Sequence, residues 1–280
     1  MHLPSLFLSH GSPMMAVEPG RTGAMLAQLG QSLPRPEAIL AVSPHWETAA
    51  PQLASAARPQ MIYDFGGFPQ ALYEIDYPAP GAPALAQEIA HMLRDAGLIA
   101  QTNEDWGLDH GAWVPLHYLY PNADIPVLQL SLQARQPPAY HFRIGRLLAP
   151  LAAKNILIAA TGSFTHNLRE LHRGEQDAGV APYTQEFLDW FLKQMAAGDL
   201  EALLDYRARA PHAARAHPRD EHLLPLFLAM GAADDWTRFR HFDTGSTYHV
   251  LRMDSFAFGH AAALLQNVAA PPPSDKTASK

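Results

Sequence analysis

Cysteine is absent from this chain of 280 residues. That absence excludes disulfides, thiolate metal sites and cysteine nucleophiles together, so any metal must be held by nitrogen and oxygen donors. Basic blocks are absent too. Lys and Arg number 20 against 27 Asp and Glu, a net charge of -7, which argues against nucleic acid as a partner and suits an enzyme acting on a small molecule. No apolar run approaches membrane-spanning length, and Met1-His2-Leu3-Pro4 carries neither the basic region nor the apolar core of a signal peptide. A cytoplasmic location with no membrane partner is therefore expected. The oligomeric state is not written in the sequence, which leaves a homo-oligomer open.

What is present is a large apolar fraction, 48%, enough to bury a substantial core with no internal linker to divide it. One domain over residues 1–262 is expected, followed by a flexible tail, 263–280, whose end (271–280) is rich in Pro, Ser and Lys. Histidine is also plentiful: 15 His stand against 20 Lys and Arg. That frequency fits imidazole metal ligands and acid/base groups.

Three histidines follow one construction. Leu6-Phe7-Leu8 breaks into Ser9-His10-Gly11-Ser12-Pro13, Ile39-Leu40-Ala41-Val42 runs into Ser43-Pro44-His45-Trp46, and Ile156-Leu157-Ile158-Ala159-Ala160 runs into Thr161-Gly162-Ser163-Phe164-Thr165-His166. Each apolar run reads as a buried strand, and the Gly and Pro turn the chain out of it. The imidazoles are left at the carboxyl edge of a sheet, where open α/β sheets place their chemistry.

Between these stretches the pattern is that of parallel crossovers. Helices are predicted over 22–33, 83–96, 137–152 and 182–195, and a further strand over 126–132. Residues 52–83, dense in Pro, Gly and Tyr, read as a long irregular loop with one helical turn at 69–73. A loop of this length is more often functional than idle, and its aromatics suit either a substrate lid or surface packing. His110 lies just ahead of a helix carrying Val114, Leu116, Leu119 and Tyr120. His222 falls in the first turn of a helix predicted over 220–230, with Asp220 as its cap. Late strands over 237–242 and 248–258 suit antiparallel pairing.

His10, His45, His110, His166 and His222 thus all sit at element boundaries, where a rigid element fixes the ring from behind and leaves a nitrogen free in front. None pairs with another at metal-helix spacing. The residues alone leave two readings open, a metal cleft assembled across the chain or a scatter of structural histidines. His2, His91, His141, His172, His212 and His260 belong to the scatter, and His117, His217, His241 and His249 stay undecided.

The motifs His10-Gly-Ser-Pro, Ser43-Pro-His-Trp46, Gly107-Leu-Asp-His-Gly-Ala-Trp113, Gly162-Ser-Phe-Thr-His-Asn167 and His217-Pro-Arg-Asp-Glu-His222 resemble those of the class III extradiol ring-cleavage dioxygenases. Within that superfamily they are most similar to the 4,5-DOPA dioxygenase branch, itself similar to the catalytic subunit of protocatechuate 4,5-dioxygenase. Five motifs in one order, from about Leu3 to Gly259, carry the resemblance. It implies an α/β fold, a single domain with a central, mostly parallel mixed sheet flanked by helices. It also implies a non-haem Fe(II) site in which Zn(II) is often found in this branch.

Residue by residue, the resemblance makes His10 and His45 metal ligands, His166 the acid/base histidine near the dioxygen position, and His110 a second catalytic histidine lining the substrate pocket. His222 falls where the ring-cleaving enzymes supply a glutamate ligand, so the third ligand here is an imidazole. Three neutral imidazoles leave the full 2+ charge on the metal, which sharpens its Lewis acidity and shifts preference towards zinc. The adjacent Asp220 and Glu221 suit either hydrogen-bond acceptors behind this set or caps of the helix, capping being the role expected of Asp220.

The activity this implies is cleavage of a catechol, DOPA-like or related, with O2. Two rivals use the same residues: a zinc hydrolase activating a water to a pKa of about 7, and a non-catalytic binding protein of the same fold. Retention of all five histidines argues against the last. Among cations able to meet a substrate carboxylate, Arg21, Arg169, Arg219 and Arg252 are candidates.

Overall fold

The computed structural model describes residues 3–172, 179–269 and 271. Its centre is an eight-stranded sheet in the order β4-β3-β5-β2-β6-β1-β10-β7. The strands are β1 (Ser5–Ser9), β2 (Ala38–Glu47), β3 (Gln52–Ala54), β4 (Gln101–Asn103), β5 (Val127–Leu132), β6 (Ile156–Gly162), β7 (Phe239–Phe242) and β10 (Ser255–Phe258). The four central strands, β5, β2, β6 and β1, run parallel. The late strands β10 and β7 add on antiparallel beside β1. A separate two-stranded ladder joins β8 (Ser246–Thr247) to β9 (Leu251–Arg252). The expected single α/β domain with a mostly parallel mixed sheet is the architecture observed.

Side-chain alternation along the strands builds two cores, one on each face. Leu6, Leu8, Ile39, Ala41, Leu157 and Ala159 join one core, covered by α1 (Gly20–Ser32) and α3 (His110–Leu119). Phe7, Leu40, Val42, Ile158 and Ala160 join the other, against α2 (Pro83–Asp95), α4 (Pro138–Leu148), α5 (Pro182–Ala197) and α9 (Leu224–Ala232). Three short helices, α6 (Leu200–Leu204), α7 (Tyr206–Arg209) and α8 (Ala213–Ala216), lead from α5 towards α9. Asp199 caps α6 by accepting from the Ala202 N–H, as expected. No helix among the described residues is long and apolar enough to cross a membrane.

Several boundaries differ from expectation for identifiable reasons. β2 runs on through His45 to Glu47, because the ladder with β5 shifts register between Val42 and Glu47 and Pro44 falls in that irregular stretch, where its missing N–H costs nothing. The helix predicted from 220 begins at Leu224, since Pro225 fits only a first turn; His222 therefore lies in the turn before the helix. Asp220 does not cap it, its side chain being paired with Arg207. The helix over 137–152 gives way at Ala149 to a 3-10 turn containing Pro150. The loop 52–83 hides β3, too short to show periodicity, beside the expected turn at Gln70–Glu74. The segment 263–269 is packed where a flexible tail was expected: the 3-10 turn His260–Leu265 buries Leu265, and Val268 follows it into the core. Residues 272–280 lie outside the described residues.

One buried ion pair ties the exits of the central strands together. Arg252 is only 2% exposed, and its guanidinium holds Asp254 through Nε to Oδ2 at 2.7 Å and Nη2 to Oδ1 at 3.0 Å. His241 donates to the same carboxylate at 2.6 Å. The backbone of this pair then reaches both neighbouring strand exits. The Asp254 carbonyl accepts from the Ser9 hydroxyl at 2.7 Å, beside His10, and the Arg252 N–H donates to Thr165 Oγ1 at 2.8 Å, beside His166. Removing one partner of a buried pair strands the other charge, so Arg252→Met is expected to lower stability by about 3–5 kcal/mol in urea denaturation. A loss below about 1 kcal/mol, the scale of a surface pair, would contradict the clamp.

Candidate metal centre

The sheet delivers three histidines to one edge because β2, β6 and β1 are adjacent and parallel. Ser9 pairs with Gly162 at the end of β1 and β6, and the His10 N–H donates to the Gly162 carbonyl at 2.9 Å. Gly162 then does a second job. A Cβ there would lie 2.0 Å from the His222 carbonyl oxygen, so only glycine lets the His222 turn dock on the end of β6, where the Ser163 N–H donates to that carbonyl at 3.1 Å. His222 reaches the site by this contact rather than by a helical first turn.

His10, His45 and His222 come together with their ligand atoms within 4.8 Å of one another. His10 Nε2 lies 3.1 Å from His45 Nε2. Behind the rings stand carboxylates: His222 Nδ1 donates to Glu221 Oε1 at 3.0 Å, and His45 Nδ1 faces Asp64 Oδ2 at 3.4 Å. Protons held at Nδ1 leave Nε2 as a bare lone pair. His10 Nδ1 is buried with no hydrogen-bond partner among the described residues.

This donor set fits a divalent metal. Two nitrogens each about 2.0–2.1 Å from a shared tetrahedral ion sit about 3.3 Å apart, close to the His10–His45 separation. The remaining two sequence-predicted histidines close around the trio. The His110 ring lies 4.0 Å from that of His45, its Nδ1 donating to Asp64 Oδ1 at 2.9 Å. It opens α3, capped by Asp109, which accepts from the Ala112 N–H and from Gln129. His166 stacks on His222 with centroids 3.4 Å apart.

Over residues 4–251 the chain matches the family described as the catalytic LigB subunit of aromatic ring-opening dioxygenase. It belongs to the LigB family. A relative from Escherichia coli K12 named 4,5-DOPA dioxygenase extradiol is 40% identical, with 83% of this chain and 86% of the relative aligned. One of the same name from Beta vulgaris is also 40% identical, over 82% of this chain and 87% of the relative. The crystal structure of an uncharacterized Escherichia coli K12 protein superposes with a TM-score of 0.74 at 31% identity, covering 92% of this chain and all of that one. LigB dioxygenases are metal-dependent, so the fold, the family and the histidine cluster agree on a metal-dependent ring-opening enzyme.

Electrostatics in this LigB site are set by burial. Desolvation first, then the mutual repulsion of neighbouring imidazoles, holds His10 and His222 well below the ordinary histidine range. Burial and His110 bring His45 to about 3 against the opposing pull of Asp64, and the same two causes bring His166 to about 4. Burial would raise Asp64, but the hydrogen bond from His110 and its charge hold it at about 2.

Asp64 was not singled out by sequence reasoning. Its only signal was a carboxylate amid the aromatics of a long loop. Those aromatics pack on the His110 side, Phe65 at 5.8 Å from its ring and against Tyr73 and Trp113. Of the undecided histidines, His217 is fully buried and donates from Nε2 to the Phe164 carbonyl at 2.8 Å, bracing the loop to His166. His241 serves Asp254. Among the arginines, Arg252 is committed to its ion pair and Arg21 donates to the Pro271 carbonyl. Arg219 pairs with Glu47 and reaches Glu221 at 3.4 Å.

Neutral buried imidazoles set a pH dependence. Unfolded histidines titrate near 6.5, so below that value the unfolded chain holds protons that folded His45, His166 and the fully buried His217, at about 3, refuse. Stability is full above pH 6.5 and falls as pH drops towards 4. The metal-free protein should lose more than about 1.4 kcal/mol per pH unit in that window, the slope of one proton. Denaturation curves unchanged between pH 7 and 5 would contradict the assignment.

Proposed function

We propose that His10, His45 and His222 hold one Fe(II), that His166 and His110 act as acid and base, and that the substrate is a DOPA-like catechol cleaved by O2 beside its diol. The observation that carries this reading is the convergence of three neutral imidazoles on one point with two more in ring contact around them. The names of the relatives support the substrate class. A bound Fe(II) supplies Lewis acidity and an electron path between the catechol ring and O2.

The chain's own groups do the rest. His110, its Nδ1–H fixed on Asp64, presents Nε2 as an acceptor for a catechol hydroxyl proton, a task that suits a neutral imidazole. His166 passes a proton to the departing oxygen as the O–O bond breaks, and burial, which lowers its affinity for that proton, favours the handover. Tyr63, Phe65, Tyr73 and Trp113 form an apolar wall on the His110 side that shields the reacting ring from water. The oxygen released as hydroxide when the O–O bond breaks, and not solvent, opens the ring-inserted lactone, so that both atoms of O2 end in the muconic semialdehyde.

Zinc fits the same nitrogens but has no redox chemistry. A zinc-filled protein is therefore expected to be folded and inactive towards catechols, whereas a zinc hydrolase would work without oxygen. Anaerobic Fe(II) loading followed by oxygen uptake and a scan for yellow product across a catechol panel tests the reading; no uptake with any catechol would overturn it. His166→Phe is expected to reduce turnover by at least about 100-fold, the lower range for an acid/base residue, while leaving metal content unchanged. An undiminished rate would remove His166 from the mechanism.

A further inference from the structure

Two carboxylates serve the histidine cluster in the same way. Asp64 Oδ1 accepts from His110 Nδ1–H at 2.9 Å and from the His110 backbone N–H at 3.0 Å, and its Oδ2 lies 3.4 Å from His45 Nδ1. Glu221 Oε1 accepts from His222 Nδ1–H at 3.0 Å and lies 3.8 Å from His166 Nδ1. Each carboxylate therefore faces one imidazole of the ligand trio and one of the acid/base pair.

Asp64 is held in place by construction. Its loop is zipped to the segment leading into α3, the Ile62 N–H donating to the Leu108 carbonyl and the Leu108 N–H to the Gln60 carbonyl, both at 2.8 Å. Gly107 permits the approach, since a Cβ there would lie 1.8 Å from the Gln60 carbonyl oxygen. The Tyr63 hydroxyl donates to the Ile75 carbonyl at 2.7 Å and anchors the far side of the loop. The carboxylate is an acceptor only: it takes the His110 proton at Nδ1 by a hydrogen bond and, at 3.4 Å, draws the His45 proton towards Nδ1.

We propose that Asp64 is a positioning residue that fixes the tautomer and orientation of His45 and His110 together, with Glu221 as its counterpart for His222. The inference rests on the functional reading above. It makes metal binding and proton transfer share their supports: the carboxylate that bares Nε2 of a ligand also bares Nε2 of a catalytic base.

The test is Asp64→Asn, whose amide offers one acceptor and one donor and cannot receive both Nδ1–H groups. In the metal-free protein, long-range proton–nitrogen spectra are expected to show His45 and His110 as Nδ1–H tautomers, and Asp64→Asn to move at least one of them to Nε2–H. Co(II) titration, read by its visible absorption and by chelator competition, is expected to show about 10–100-fold weaker binding in the variant, the usual effect of losing such a partner. Unchanged tautomers and unchanged Co(II) affinity would overturn the inference. A structural role alone would lower the melting temperature and leave the tautomers as they were. Should the wild-type protein itself fail to bind one Co(II), the functional reading fails, while the tautomer measurement still judges Asp64. If Asp64→Asn does not fold, Glu221→Gln applies the same test to His222.

Discussion

The site depends on a mutual exclusion of charge. Neighbouring rings in the cluster of five imidazoles have centroids between 3.4 and 5.5 Å apart. Two imidazolium ions about 5 Å apart repel by about 3 kcal/mol even at an effective dielectric of about 20, and burial adds its own cost to each. His10, His45 and His222 are thereby kept neutral at neutral pH, each with one ring nitrogen free of a proton. A pocket lined with bare lone pairs is poor accommodation for a proton on any one ring, but good for a divalent ion that all three ligand rings share. Carboxylates stand at the backs of His45, His110 and His222.

The fold meets this demand through the order of its strands. β2, β6 and β1 lie side by side and parallel, so three chain exits open at one edge without any long-range coincidence. The other two histidines arrive from the flanks, His110 on the first turn of α3 and His222 on a turn docked against Gly162. The antiparallel pair β10 and β7 contributes no site residue. Its value is mechanical, since the Arg252–Asp254 pair beside it holds the Ser9 and Thr165 exits in register with each other.

Much of this is legible in the chain itself. Apolar runs ending in Gly, Pro or Ser before a histidine describe a strand and its exit, and those at His10 and His166 read directly. His45 lies inside its strand, because a bulge tolerating Pro44 does not look different from a chain exit. The position of His222 was readable but its element was not, since the proline that forbids an earlier helix start lies three residues beyond it. Asp64 was out of reach: a single carboxylate in an irregular loop carries no periodicity, and what gives it meaning is a backbone zipper to residues more than forty positions away. Short strands such as β3 and β4 are invisible for the same reason.

Under the proposed ligand set, an all-imidazole site would leave the ion's full charge to act on the substrate and would admit zinc as readily as iron. X-ray absorption on the protein loaded with a single equivalent of metal tests the central claim most directly. The account expects one ion per chain bound by three imidazole nitrogens at about 2.0–2.1 Å, with no carboxylate oxygen from the protein in the coordination shell. A protein carboxylate among the ligands, or fewer than three imidazoles, would contradict it.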